Sequence, residues 1–282
     1  MLQKIATLLE PAHLWTWAVS HYLRVCLEEV LKGHILAPIF QTKNLRDESF
    51  ARFWLDFSAF VDKMSAQFGL RGSSALIPPI LETATGIVLD IGPGTGPQMP
   101  YLCSPAIKAI YGPEPCLGLH RELKAKATSE GLGEKYYVLL SSVATEELLP
   151  TLRETGTGVV DSYDENPENG IFDTIVCVRV LCSVPDVNSS ARELYKLLRP
   201  GGRLLVTEHV VNPWRTAKGS LASRIAQGVY QLLGWSFFIG DCAMDRDTES
   251  ALRRAGEWSE ITLERSFESS PMPYLSGSLV KA

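Results

Sequence analysis

Three glycines and two carboxylates stand at spacings that suit a ligand carrying a ribose. Val88-Leu89-Asp90-Ile91-Gly92-Pro93-Gly94-Thr95-Gly96 puts an apolar run directly before a triple-glycine turn. Glycines permit the tight turn and let the backbone approach a ligand that a Cβ would repel. Glu114 lies eighteen positions beyond Gly96, at the end of the next apolar run. A carboxylate there can accept from two neighbouring ribose hydroxyls. A second set of reactive side chains follows downstream: Arg179 closes one apolar run, Glu208-His209 closes the next, and Asp241-Cys242 sit in an aromatic-rich stretch. His209 suits a general base by location and intrinsic pKa. A histidine satisfied by backbone partners is the equally weighted alternative. Arg179 can hold an anionic or carbonyl-bearing group, or bridge to Glu208 or Asp90 as a structural ion pair.

These residues need a scaffold, and the sequence describes one. From Gly86 onward, short apolar runs alternate with glycine-rich turns and helical segments, the pattern of a βαβ array. Strands are expected near Ile87–Ile91, Lys108–Pro113, Tyr136–Leu140, Phe172–Val178 and Gly202–His209. Runs such as Ile87-Val88-Leu89 and Thr174-Ile175-Val176-Cys177-Val178 are continuously apolar, as parallel strands covered on both faces must be. Upstream, apolar residues recur at helical spacing from Pro11 to about Leu36, as two helices or one kinked helix, and again from about Asp47 to Phe68. The segment Glu154–Gly170, rich in glycine and acids, reads as an exposed insertion. Trp214 to Phe238 reads as a helical part of a cap, and Glu260 to Ala282 as the last strands. The chain thus divides into a helical lid or oligomerisation segment at 1–75 and a ligand-binding domain at 76–282, with a substrate cap around 212–250.

The 282 residues, 45% hydrophobic, can bury a substantial core. With 27 Lys+Arg against 32 Asp+Glu, the net charge of -5 gives no electrostatic case for nucleic acid. The six cysteines are scattered, without a C-x-x-C pair or a histidine placed to complete a zinc site, so they read as free thiols in a reducing compartment and no metal is expected. Glu10, Arg24, Glu28, Glu29 and Lys32 interrupt the apolar stretches near the N-terminus, against a secretory signal or a spanning helix. A cytoplasmic location is expected. The N-terminal helices are left with a homodimer interface or a peripheral membrane contact as open roles beside core or lid packing.

The turn reads G-x-G-x-G where a dinucleotide loop would read G-x-G-x-x-G. In this it resembles the class I S-adenosylmethionine (SAM) dependent methyltransferases. The resemblance extends through Phe172-Asp173 and the Leu198-Arg199-Pro200-Gly201-Gly202 turn. It implies a Rossmann-like α/β sheet with helices on both faces, here with an N-terminal helical segment and a C-terminal cap, and SAM as cofactor. Gly92, Gly94 and Gly96 would line its methionine part, and Asp90 would organise the loop or bind the amino group through water. Glu114 would hold the ribose, Cys116 would pack on the adenine ring, and Ser142 and Val143 would flank its edge. Many relatives carry an acid after the third strand, where this chain has Ser141-Ser142-Val143. Arg179 could then also bind the SAM carboxylate.

The order Val180-Leu181-Cys182-Ser183-Val184, Glu208-His209-Val210 and Gly240-Asp241-Cys242 before Thr248 is similar to the small alkyl thiol S-methyltransferase group over roughly residues 86–282. The chain lacks that group's uninterrupted N-terminal anchor and has Arg179 where those enzymes have an apolar residue. The expected function is methyl transfer to a small hydrophobic acceptor at a thiol or hydroxyl, with His209 and Arg179 as catalytic candidates. Trp214, Trp235, Phe237 and Phe238 could form part of an apolar pocket. The competing expectation is a SAM-binding pericyclase or cyclase of secondary metabolism, in which Arg179 or His209 polarises a carbonyl.

Overall fold

The computed structural model describes residues 2–282. Seven strands, β1 (Gly86–Ile91), β2 (Ile107–Pro113), β3 (Tyr136–Leu139), β4 (Phe172–Val178), β5 (Leu198–His209), β6 (Trp258–Ser266) and β7 (Tyr274–Lys281), form one sheet in the order β3-β2-β1-β4-β5-β7-β6. The first five are parallel, and β7 runs antiparallel to both β5 and β6. The chain winds outward from β1 to β3, then returns to place β4 on the other side of β1. That reversal opens a crevice at the C-terminal ends of β1 and β4, the place where open α/β sheets bind ligands.

The strands are apolar throughout because both faces are covered. Leu89, Ile91, Ile175, Cys177, Leu204 and Val206 enter one core, while the intervening Val88, Val176 and Leu205 enter the other. The first core is closed by α6 (Thr145–Glu154), α8 (Val187–Leu197) and α11 (Thr248–Arg253) through residues such as Leu148, Leu194 and Leu252. The second is closed by α4 (Pro78–Leu81) and α5 (His120–Ser129) through Leu81 and Leu123. At the far end from the crevice, Asp173 accepts from the Ile87 N–H at 2.7 Å and pairs with Arg199 at 3.0 Å. The Phe172-Asp173 and L-R-P-G-G motifs therefore tie the entering ends of β1, β4 and β5 together.

The N-terminal run forms a single helix α1 (Leu2–Leu31) with Pro11 inside it, followed by the short α2 (Ala37–Phe40) and by α3 (Thr42–Phe68). The expected cap helix is interrupted. Ser220 caps α9 (Leu221–Leu232) by accepting from the Ser223 N–H, and Gly234 at φ 82° breaks it before α10 (Trp235–Phe238). The insertion between α6 and β4 carries its own short helix α7 (Asp161–Glu165), held by the Arg153–Asp164 pair. A third apolar cluster joins Ala18 of α1 and Phe53 of α3 to Tyr230, Trp235 and Met244 of the cap, over the C-terminal edge of the sheet. No helix of the described residues is long and apolar enough to cross a membrane.

One contact crosses the sheet in an unusual way. Tyr136 on β3 donates its hydroxyl to Asp90 on β1 at 2.7 Å, although β2 lies between them. The ring passes over Gly112, where a Cβ would stand 2.6 Å from the phenol oxygen. Gly112→Ala should therefore cost about 1–3 kcal/mol, as overpacking does. Urea unfolding should show this as a lowered midpoint with an unchanged slope.

Candidate functional site

The turn after β1 is shaped by its glycines and by what lies on them. Gly92 has φ 54° and Gly94 φ 61°, backbone regions that cost other residues energy. A Cβ on Gly92 would meet Val180 Cγ2 at 2.5 Å, and one on Gly94 would meet Trp54 Nε1 at 2.6 Å. The β4 loop and helix α3 thus both press on the turn. Gly96 completes it, with Met99 and Leu123 behind.

Two buried carboxylates hold this turn. Glu114 accepts from the Gly94 N–H through Oε2 at 2.9 Å and from the Cys116 N–H through Oε1 at 2.8 Å. Burial raises its pKa, against the two backbone donors and the nearby His120, which lower it. His120, absent from the sequence expectations, donates Nε2–H to the Glu114 carbonyl at 2.7 Å. Asp90 is fully buried and accepts from Gln98 Nε2 at 3.1 Å and from the Tyr136 hydroxyl. Its oxygens are thus bonded to side chains of the protein, the loop-organising arrangement. Gln98 and Tyr136 also escaped the sequence reading; the signal for Tyr136 was Gly112, one residue before the end of β2.

The remaining cofactor candidates line the neighbouring strand ends. The Glu114 N–H bonds to the Leu139 carbonyl, which joins the ends of β2 and β3. Cys116 lies half-buried beside Glu114, its thiol pushed up to about 11 by burial and by the Glu114 charge. After β3, the Ser142 N–H donates to Glu147 at 3.1 Å, and Ser142 Oγ accepts from the Ala144 N–H at 3.3 Å. Val143 packs on the first core.

Beyond β4 and β5 the arrangement departs from the simplest expectations. Arg179 has φ 58° and donates to the Ser73 and Ser74 hydroxyls at 2.8 and 3.1 Å, with its guanidinium over the Tyr274 ring at 5.7 Å. Among the described residues it forms no ion pair with Glu208 or Asp90 within 4.0 Å. Glu208 instead accepts from the Val180 and Leu181 N–H groups at 2.8 and 3.0 Å through Oε1, while its buried Oε2 has no partner. Burial pushes Glu208 up to about 7 against those donors. His209 is buried, with Nε2 3.1 Å from Cys242 Sγ and Nδ1 unpartnered. Burial disfavours its imidazolium, but Cys182 and Glu208 outweigh that and raise its pKa.

The reading of scattered cysteines needs correction in space. Cys182 after β4, His209 and Cys242 in the cap bring their side-chain donor atoms within 4.8 Å of one another. The aromatic cap residues are largely engaged in packing. Trp235 is fully buried, Phe237 and Phe238 meet Tyr22 of α1, and Trp214 lies under Arg215 at the surface. Asp241, at φ 61°, forms a two-pronged pair with Arg46 of α3 at 2.9 Å.

A parallel sheet with this strand order, an antiparallel β7 and a glycine turn flanked by an acid at the end of β2 defines the class I SAM-dependent methyltransferase fold. Comparisons with known proteins agree. The methyltransferase domain model matches residues 60–257, and the chain belongs to that family. The human thiol S-methyltransferase TMT1B is 34% identical over 119 residues, which cover 40% of this chain and 45% of that protein. Mitochondrial methyltransferase OMS1 of Saccharomyces cerevisiae is 27% identical over 176 residues, covering 60% of this chain and 36% of its own. The chain spans about half the length of the thiol S-methyltransferases it matches. PigF, solved with SAH, superposes with a TM-score of 0.51 at 18% identity over 95% of this chain and 69% of its own, and shares the fold.

SAM is the cofactor of this family, and the residues present fit it. Gly92, Gly94 and Gly96 present bare backbone in the turn, Glu114 keeps a free lone pair on each oxygen, and the buried Trp54 Nε1–H beside Gly94 has no protein partner.

Asp90 gives this site a pH signature. Burial raises its pKa from 3.8 to about 6, against the Gln98 and Tyr136 hydrogen bonds. The folded protein therefore binds more protons than the unfolded chain between those values, and stability is lost as pH rises through that window. Between pH about 5 and about 7.5 the loss should be about 1–1.5 kcal/mol. Urea unfolding of wild type and Asp90→Asn at both pH values checks this: the variant should lack that part of the slope.

Proposed function

We propose that this chain binds SAM on the Gly92–Gly96 turn and methylates a small, largely hydrophobic acceptor, at sulfur in preference to oxygen. The observation that carries this reading is Glu114, buried at the end of β2 with one backbone donor on each oxygen and a lone pair of each left for a vicinal diol. Gly92, Gly94 and Gly96 accommodate the methionine part, Cys116 and Val143 bound the adenine, and Ser142 lies at its edge. SAM, when bound, supplies an electrophilic methyl group on a sulfonium that is already a good leaving group.

The chain's own residues then have to align a nucleophile, exclude water and remove a proton. Residues 1–75 serve as the lid for the 76–282 domain. Helix α3 touches the cofactor edge at three glycines: Trp54 at Gly94, Ala51 at Gly118 and Phe50 at Gly240. Val180, against Gly92, bounds the acceptor side of the turn. Arg179 acts as a positioning residue, tying Ser73, Ser74 and Tyr274 to the end of β4. Only its Nη2 is hydrogen-bonded and its buried Nε has no protein partner, so Arg179 is compatible with the cyclase reading as well. The proton step belongs to His209 and the thiols beside it. Preference for sulfur draws on the similarity to thiol S-methyltransferases.

Calorimetry and product analysis test this reading. Glu114→Ala should weaken SAM binding by about 1.5–3 kcal/mol, the range for hydrogen bonds to a charged group, and Trp54→Ala should weaken it as well. Labelled SAM incubated with alkyl thiols, phenols and alcohols should yield S-adenosylhomocysteine and the methylated thiol. Unchanged affinity in a folded Glu114→Ala variant would remove Glu114 from the site. A cyclised product formed without consumption of SAM would replace methyl transfer by the cyclase reading.

A further inference from the structure

The buried trio of Cys182, His209 and Cys242 is chemically conspicuous in its surroundings. Cys182 follows β4 by four residues, His209 ends β5, and Cys242 lies just after α10, so the sheet and the cap each contribute. Their exposures are 2, 3 and 6%. The surrounding cluster of Phe53, Trp235, Ile239 and Met244 is apolar. Thiols can pack in such a place as small hydrophobes, whereas an imidazole needs partners for its nitrogens, and the buried Nδ1 of His209 has none. Cys242 Sγ also has two nitrogens against it, Trp235 Nε1 donating at 3.2 Å and His209 Nε2 at 3.1 Å. Two nitrogens and a second sulfur therefore converge on one buried point.

We propose that Cys182, His209 and Cys242 bind a zinc ion whose fourth position takes the sulfur of the acceptor; the acceptor role rests on the thiol methyltransferase reading above. Zinc bonds of about 2.0 Å to nitrogen and 2.3 Å to sulfur set the ligands of a tetrahedral site about 3.5–3.8 Å apart. The donor atoms here lie within 4.8 Å of one another, so adjustments of an ångström or so close the site. Two thiolates and one imidazole select a soft or borderline metal over magnesium or calcium, and the two sulfur charges neutralise a divalent ion. Among the described residues no fourth His, Cys, Asp or Glu joins the group. Three protein ligands with an open position are the pattern of a reactive rather than a structural zinc site.

The location suits the chemistry. Cys182 is two residues beyond Val180, whose methyl lies against Gly92 of the cofactor turn. As the acceptor thiol binds zinc, its S–H proton leaves to solvent, so His209 serves the proton step through the metal it ligates and not as a free base. A lone pair of that sulfur forms the bond to the methyl carbon. The methyl–sulfonium bond breaks with its electron pair staying on the departing sulfur, now neutral. The methylated acceptor, a neutral thioether, is a weaker ligand and leaves the metal.

Metal analysis of the full chain, purified reduced and without chelators, should find about one zinc per chain. Cys182→Ser, Cys242→Ser and His209→Gln should each reduce zinc affinity at least tenfold while keeping the wild-type circular dichroism. Should those variants not fold, cobalt(II) titration of the wild-type chain decides. It should give sulfur-to-cobalt charge-transfer bands that intensify with an alkyl thiol and not with the matching alcohol. Absence of zinc together with absence of those bands, or stoichiometric copper(I) in place of zinc, overturns the site. Bands indifferent to thiol overturn the acceptor's place on it. Full-rate methyl transfer to a thiol by metal-free protein would refute the zinc role and leave the methyltransferase reading standing. Failure to bind SAM with zinc retained would do the reverse.

Discussion

Backbone at the C-terminal edge of the sheet is anchored on buried carboxylates. Glu114 holds the glycine turn and the loop after β2 through two N–H groups, and Glu208 holds the loop after β4 through two more. Asp90 sits beneath the turn with Gln98 and Tyr136 as its donors. Removing these groups from water is unfavourable, as the raised pKa values of all three record. In return the loops that face the crevice are fixed before any ligand arrives. A preorganised edge of this kind is what an alignment-dominated reaction requires.

The second constraint is close packing of a helix on that edge. Helix α3 approaches the turn, the β2 loop and the cap at positions occupied by glycine, and its Arg46 clamps Asp241 beside Cys242. Aromatic residues of α1, α3 and α10 interlock above, including Trp17 with Phe53 and Trp15 with Phe238. These contacts join the N-terminal helices to the segment after β5. The same packing excludes water from the sulfur-rich corner formed by Cys182, His209 and Cys242, where electrostatic and coordinative interactions gain strength.

Much of the fold was legible in the sequence because its signals are local. Continuous apolar runs marked β1, β2 and β4, and a turn motif led into β5, to within a few residues of the observed limits. The glycine turn and the acid after β2 are neighbours in sequence order, so their juxtaposition follows from the parallel pairing of β1 with β2. Helix limits in the cap were less legible, since Ser220 and Gly234 act through backbone geometry that an aromatic-rich stretch obscures.

Local sequence patterns were enough to place the parallel sheet, the turn of Gly92 to Gly96 and Glu114 at the end of β2. Tertiary structure alone decided the partners of the reactive side chains. Arg179 meets Ser73 and Ser74 across 106 and 105 positions, and Tyr136 reaches Asp90 across 46 and over an intervening strand. Trp54 arrives on Gly94 from a separate helical segment. His209 and Cys242, 33 positions apart, meet Cys182 because the cap folds back over the strand ends. Short-range patterns encode backbone conformation, whereas such meetings depend on how already formed layers pack, and no spacing rule reports that.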